Sequence, residues 1–212
     1  MPYDAVIFDL DGTLLDTERL AFEAARRASS RFGPPMTETF FRTLIGGDMA
    51  STNARLAAEY GAHRMAEFDA AWDEEHDNLL VAGMPLKPTV HALLDLIEGM
   101  GLPRAVATSS GRASADRKLL AADLTHRFTT VVTRNCVTRP KPDPEPYLTA
   151  AARLNVAPER CLAFEDSTPG ARAARAAGMT VVVVPDIALV EDGHAHHTAA
   201  DLLSGARMAG LG

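Results

Sequence analysis

With 212 residues, 47% hydrophobic and 23% charged, the chain has material for a sizeable core and the make-up of an ordinary soluble globular protein, as one large domain or one domain carrying an insert. A formal net charge of -7 without a basic run excludes a broad nucleic-acid surface and gives no long-range pull on anions, so an anion site has to be assembled locally from a few donors. The N-terminus runs straight into a strand pattern with no leader-like segment, no apolar stretch reaches about 18 residues, and two cysteines cannot frame a disulfide fold. A cytoplasmic protein with no membrane or nucleic-acid partner is expected.

The first element is the apolar run Ala5-Val6-Ile7-Phe8, too short for a helix, rich in β-branched and aromatic residues and closed by a turn signal. It stops at Asp9 and Asp11, followed by Gly12-Thr13. Side chains two apart on a strand share a face, so both carboxylates are expected in one crevice at the carboxyl end of the sheet, where open α/β sheets bind ligands. Two acids this close call for a bound cation or a raised pKa on one of them. A calcium loop would need further ligands at fixed positions and an incoming helix, whereas here a hydrophobic strand leads in.

The stretch Thr17 to Gly83 interrupts this pattern: about ninety residues separate the first two strands, far more than a crossover needs, and the segment is helical in period and rich in Ala, Glu, Arg and Met. It reads as an inserted helical domain, with 1–16 and 84–212 forming the α/β core and 17–83 the insert, set off by Gly83-Met84-Pro85-Leu86-Lys87-Pro88 and placed to act as a lid. Its Phe40, Phe41, Met49 and Trp72 read as core. Beyond it, strands are expected at Arg104 to Ala107, Thr130 to Val132, Cys161 to Phe164 and Val181 to Val184. Helices are expected at Thr89 to Met100, Ala113 to Ala122, Glu145 to Leu154 and Pro169 to Ala177, and the Ala-rich patch 195–200 also reads as helix. Continuous rather than alternating apolar strands, with helices between them, predict a doubly wound parallel sheet. Cys136 falls in a loop and Cys161 in a strand, both structural.

Three further motifs stand at strand ends. Thr108-Ser109-Ser110-Gly111 offers a hydroxyl and backbone N–H groups at a strand-to-helix turn, as a phosphate oxygen requires, though such a string also caps helices. Lys141 sits in Arg139-Pro140-Lys141-Pro142-Asp143-Pro144, where prolines restrict the backbone and pre-organise a charge able to neutralise phosphoryl oxygens. Glu165-Asp166-Ser167 follows the fourth strand, and its acids would complete an oxygen-rich pocket that suits Mg²⁺ best. His194, His196 and His197 lack a fixed partner set for a metal.

The ordered set DLDGT, TSS, KPDP and ED resembles the haloacid dehalogenase superfamily of phosphotransferases, and the helical insert after the first motif resembles its small-cap subgroup, which includes phosphatases and β-phosphoglucomutase. The resemblance spans nearly the whole chain. It implies a Rossmann-like core with a helical cap and a phosphomonoester hydrolase acting on a small phosphorylated metabolite. Asp9 would be the nucleophile that forms an aspartyl phosphate and Asp11 the acid/base; Thr108 and Lys141 would hold the phosphoryl group, helped by Ser109. Mg²⁺ would be bound by a carboxylate oxygen of Asp9, the main-chain carbonyl of Asp11 and the carboxylate of Asp166, with Glu165 nearby or acting through water. Dehalogenation would not need Asp11. A phosphosugar mutase would carry a cap histidine and arginine where this chain has Ala21 and Met49, and a phosphonatase would need a cap lysine, of which residues 17–83 have none. The alternatives to a phosphatase are the mutase or a non-catalytic binding protein on the same fold. Glu18, Gly46-Gly47-Asp48-Met49, Arg112 and Asn135 are the candidates for choosing the leaving group, with acidic Glu18 and Asp48 suiting sugar or polyol phosphates. A monomer or weak homodimer is expected.

Overall fold

The computed structural model describes residues 2–45, 48–186, 190–191 and 193–212. The chain divides into two compact units, Met1–Asp16 with Leu86–Gly212, and Thr17–Pro85. Among the described residues no helix is long and apolar enough to cross a membrane.

The first unit carries six parallel strands, β1 (Ala5–Phe8), β2 (Arg104–Ala107), β3 (Thr130–Val132), β4 (Cys161–Glu165), β5 (Thr180–Val183) and β6 (His197–Thr198), in the order β3-β2-β1-β4-β5-β6. This is the expected doubly wound α/β sheet, with α5 (Val90–Gly99), α6 (Arg112–Ala121), α7 (Glu145–Leu154) and α8 (Thr168–Ala176) between its strands in the chain. All four residues of β1 are buried, because a central parallel strand is covered on both faces. On one face Ala5 and Ile7 pack with Ala163, Tyr147, Ala150 and Ala173 in a core of small residues. On the other, Phe8 stacks on Phe164 at 5.2 Å and meets Phe128 edge-on at 6.0 Å. A fully buried Ile or Phe side chain contributes roughly 1.5–3 kcal/mol, so this central strand anchors the fold.

Strand order reverses between β2 and β4 on either side of β1, which opens a crevice at the carboxyl edge beside Asp9. Register brings Phe8 opposite both Val106 and Phe164, so the residues following β1, β2 and β4 emerge at one level. The insert leaves between two paired points of the same unit: Leu15 bridges Leu86 antiparallel, and Lys87 N donates to Leu14 O at 3.0 Å.

The patch 195–200 is not a helix. His197–Thr198 pairs in parallel with Val182–Val183, and the N–H groups of His196 and Ala199 donate to Val181 O and Val183 O at 2.8 and 2.9 Å. Hydrogen bonds offered by an otherwise open sheet edge outweigh the helix propensity of a few alanines. The helix comes later, at Leu202–Met208, opened by a reciprocal cap between Asp201 and Ser204.

The second unit comprises α1 (Thr17–Ser29), α2 (Glu38–Arg42), α3 (Met49–Tyr60) and α4 (Met65–Ala82). Phe41, Tyr60 and Phe68 are buried at its centre, with Ala21, Phe40 and Trp72 packed against them. Tyr60 and Phe68 stack at 4.9 Å, and Trp72 meets Phe68 at 5.8 Å edge-on. Phe40, Phe41 and Trp72 are therefore core; the Met49 side chain lies outside what is described.

Candidate active site

In the core unit, Asp9, Asp11, Thr108, Ser109, Ser110, Lys141, Asp166, Ser167, Pro169 and Gly170 line one cleft of about 500 Å³. Four chain segments far apart in sequence meet there because β1, β2 and β4 are neighbours. Asp9 N donates to Phe164 O at 2.9 Å and Thr108 N to Val132 O at 2.9 Å, so each motif is tethered to its neighbouring strand at the point where it leaves the sheet.

Lys141 is held out over the sheet by its proline-rich loop. Glu145, opening α7 (Glu145–Leu154), accepts from Thr138 N at 2.8 Å and Arg139 N at 2.9 Å, which folds the loop back on the helix. The ammonium then reaches Asp9 Oδ1 at 2.6 Å and Glu165 Oε1 at 2.5 Å, with its side chain only 5% exposed. Burial works against its charge, but Asp9 and Glu165 more than compensate and push its pKa up.

Glu165 is wholly buried and fully engaged. Oε1 accepts from Lys141 and from the Tyr147 hydroxyl at 2.6 Å; Oε2 accepts from Ser167 Oγ at 3.1 Å and Asp166 N at 3.2 Å. Burial, then the Glu165 and Asp9 charges, raise the Tyr147 pKa well above its ordinary value, so the phenol stays a donor. Glu165 thus positions other groups rather than reaching outward. Gly170, near the start of the helix α8 (Thr168–Ala176), makes room for it: a Cβ there would lie 1.9 Å from Glu165 Oε1. Gly170→Ala should therefore cost about 1–3 kcal/mol through overpacking, read as a lower thermal midpoint. An unchanged midpoint would mean that the carboxylate can move aside freely.

Asp11 is held by two groups, Ser110 Oγ donating to Oδ2 at 2.7 Å and Lys118 Nζ to Oδ1 at 2.6 Å. Lys118 lies on α6 (Arg112–Ala121), two turns beyond the TSS motif. Thr108 is buried, and its hydroxyl accepts from Ser110 N at 3.0 Å, shaping the turn; Ser109 is exposed.

Burial, reinforced by Glu165 and Asp166 and opposed by Lys141, raises the Asp9 pKa well above the usual carboxylate range. Asp166 is pushed up to about 7 by burial, then by Glu165 and Asp186 against the pull of Lys141. Asp9, Glu165 and Asp166 offer ligand oxygens within 4.8 Å of one another, a group that could hold a metal ion. Two features suit a hard divalent cation there. Gly12, at φ +84°, keeps the space beside Asp166 clear, since a Cβ would lie 2.2 Å from Asp166 Oδ2. The neighbouring Asp186 Oδ2 is buried and has no hydrogen-bond partner among the described residues.

Sequence reasoning missed Lys118, Ser110 as the partner of Asp11, Tyr147, Lys87 and Asp186. One signal was available: of 21 basic residues only Lys87, Lys118 and Lys141 are lysines. All three pair with aspartates, Asp186, Asp11 and Asp9, at 2.7, 2.6 and 2.6 Å. A compact ammonium fits where a planar guanidinium does not.

Other candidates have structural duties. The Arg112 guanidinium donates to Val131 O at 2.8 Å and pairs with Asp116 at 3.3 Å on the outer side of β3; Asn135 Oδ1 accepts Arg112 N at 2.9 Å, capping α6. Asp48 caps α3 by accepting from Ser51 N at 2.9 Å and Ser51 Oγ at 2.7 Å. Gly46 and Gly47 lie outside the described residues. His196 Nδ1 accepts from Val181 N at 3.0 Å, and none of the three C-terminal histidines joins a metal-holding group among the described residues.

A parallel α/β sheet with two acids after its central strand and a buried lysine bridging that strand to its neighbour defines a hydrolase of the phosphoryl-transfer kind. The haloacid dehalogenase-like hydrolase family model matches residues 6–184. The chain is 36% identical to a phosphorylated carbohydrates phosphatase of Thermotoga maritima (strain MSB8), covering 83% of this chain and 82% of that one. It is 33% identical to the validoxylamine A 7'-phosphate phosphatase of Streptomyces hygroscopicus subsp. limoneus, covering 85% and 84%. A Deinococcus radiodurans R1 hydrolase of the same family, solved with bound phosphate and sodium, superposes with a TM-score of 0.81 at 26% identity, over 99% of this chain and 96% of that one. The chain belongs to the haloacid dehalogenase-like hydrolase family and is an enzyme of its phosphatase type.

Proposed function

We propose that the protein is a cytoplasmic, Mg²⁺-dependent phosphomonoesterase that acts on a small sugar or polyol phosphate through an aspartyl phosphate on Asp9. The observation that carries this reading is the Lys141 ammonium, buried and shared between Asp9 and Glu165, in a cleft that also holds Asp11 and Thr108. The names of the curated relatives, both phosphatases and one of phosphorylated carbohydrates, support the substrate class.

With Oδ1 engaged by Lys141, the other oxygen of Asp9 attacks phosphorus in line as the bond to the alcohol oxygen breaks. Lys141, the Thr108 hydroxyl and the Ser109 N–H hold the phosphoryl oxygens. Asp11 gives its proton to the departing alkoxide, then takes one from the water that cleaves the Asp9–phosphorus linkage and releases inorganic phosphate. To reach the alcohol, Asp11 must let go of Ser110 or Lys118, which between them hold both its oxygens. The carboxylates of Asp9 and Asp166 and the main-chain carbonyl of Asp11 would hold Mg²⁺, which would supply positive charge to the phosphoryl group. The helical unit Thr17–Pro85 serves as the cap that selects the leaving group.

Phosphate release from a panel of sugar and polyol phosphates, with Mg²⁺ and with a chelator, tests the reading. No Mg²⁺-dependent release above background from any member would overturn it. Within an active panel, Asp11→Asn should lower kcat by about 10²–10⁴ while Mg²⁺ still binds, because the metal contact is a main-chain carbonyl. Unchanged turnover in that variant would take Asp11 out of proton transfer.

A further inference from the structure

Strand β5 runs on into Val184-Pro185-Asp186, and the bond from Val184 N to Glu165 O at 2.8 Å keeps the chain against β4 as it leaves the sheet. Asp186 therefore emerges beside Asp166, at the same carboxyl edge as the two aspartates that follow β1. Its Oδ1 accepts from Lys87 Nζ at 2.7 Å, with the two side chains 13% and 15% exposed. Its Oδ2 is buried and, among the described residues, has no hydrogen-bond partner. Leaving a buried carboxylate oxygen without a donor is unfavourable, so an acceptor in this state calls for a donor that binds there.

Gly12 locates that vacant acceptor relative to the acidic group. An ideal Cβ on Gly12 would lie 2.2 Å from Asp166 Oδ2 and 3.4 Å from Asp186 Oδ2, so the two oxygens lie within the sum of those distances of each other. Asp186 nevertheless stands outside the Asp9, Glu165 and Asp166 group, whose ligand atoms fall within 4.8 Å of one another. It stands close enough to Asp166 to help raise the pKa of that acid. Mg²⁺ sheds its water reluctantly and keeps several waters in protein sites, each of which needs an acceptor.

We propose that Asp186, oriented by Lys87, is an outer-shell residue of the metal centre, its unpaired Oδ2 accepting a hydrogen bond from a water on the bound ion. This rests on the reading of the cleft as a Mg²⁺ site. With all four acids ionised, as a bound cation would favour, Asp9, Glu165, Asp166 and Asp186 against Lys141 and Lys87 leave two negative charges, the complement of a divalent ion. Lys87 fixes which oxygen of Asp186 is committed and so which one is offered to the water. Outer-shell partners of this kind set the orientation of bound water, and their loss weakens metal affinity by about 10–100-fold.

The test is Mg²⁺ binding by calorimetry and Mn²⁺ binding by electron paramagnetic resonance, on wild type, D166N, D186N and the double variant K87M/D186N. The double variant removes the ion pair whole and avoids leaving Lys87 half-buried without a partner. D166N should lose binding altogether, and both D186N and the double variant should bind about 10–100-fold more weakly than wild type. If wild type binds neither ion, the metal reading fails and Asp186 falls with it. If wild type binds, D166N does not, and either folded Asp186 variant binds within twofold of wild type, Asp186 is only the structural partner of Lys87 and the inference alone is overturned.

Discussion

Asp9→Asn should remove turnover by at least about 10⁴-fold while leaving the fold intact, because the amide keeps the shape of the carboxylate and cannot take up phosphorus as a nucleophile. The variant also separates catalysis from stability. Asp9 is buried beside Glu165 and Asp166, and burial together with their charges raises its pKa well above the ordinary value. An acid whose folded-state pKa is raised stabilises the fold while it is protonated, and that contribution disappears as the pH climbs through the raised value. In metal-free protein at pH 8 the neutral amide should therefore give a thermal midpoint no lower than that of wild type. Lys141 loses one partner in the exchange but keeps Glu165. Retained turnover would exclude the covalent route, and a midpoint several degrees below wild type would show that the ion pair with Lys141 outweighs the repulsion among the acids.

The fold was legible in the sequence because its strands are buried on both faces and so appear as unbroken apolar runs, each stopping at a chemistry-bearing residue: Asp9 after Phe8, Thr108 after Ala107, and Glu165 and Asp166 after Phe164. What the residues alone could not reveal depends on tertiary pairing. Tyr147 lies on the buried face of α7 like any core aromatic, and only the fold shows that its hydroxyl reaches Glu165. Lys118 and Lys87 sit 107 and 99 residues from the aspartates they hold, a separation that no local pattern records. Asn135 and Asp48 looked like selective polar groups because a cap and a binding side chain draw on the same short residues, and only the position of a helix N-terminus tells them apart. The short edge strand His197–Thr198 is decided by the open hydrogen bonds of β5, not by its own alanine-rich surroundings.

Lys141→Met is the substitution with the widest expected consequences, since one ammonium serves both stability and chemistry. Removing one partner of a buried ion pair typically costs about 3–5 kcal/mol, which in a chain of this size lowers the thermal midpoint by roughly 10 °C. Little solvent screening reduces that effect, because the side chain is 5% exposed and its partners 10% and 0%. The pH dependence has a defined sign. Lys141 has a raised pKa, so its contribution is fully present below the unfolded lysine value and persists through neutral pH. The deficit of the variant should shrink on the acid side as carboxylates take up protons, beginning where Asp166, pushed up to about 7, starts to neutralise. Turnover should fall by at least about 10²–10³, the loss expected when one fixed charge facing the transition state is removed. Lys141→Arg separates the two effects: its charge should recover part of the midpoint, but a planar five-donor fork cannot place a single nitrogen 2.6 Å from Asp9 and 2.5 Å from Glu165 at once, so turnover should stay low. Denaturation scans at pH 5.5 and 8 with steady-state assays of both variants provide the measurement. Full recovery of kcat by arginine would mean that Lys141 supplies charge alone, without the point geometry that Asp9 and Glu165 impose on it.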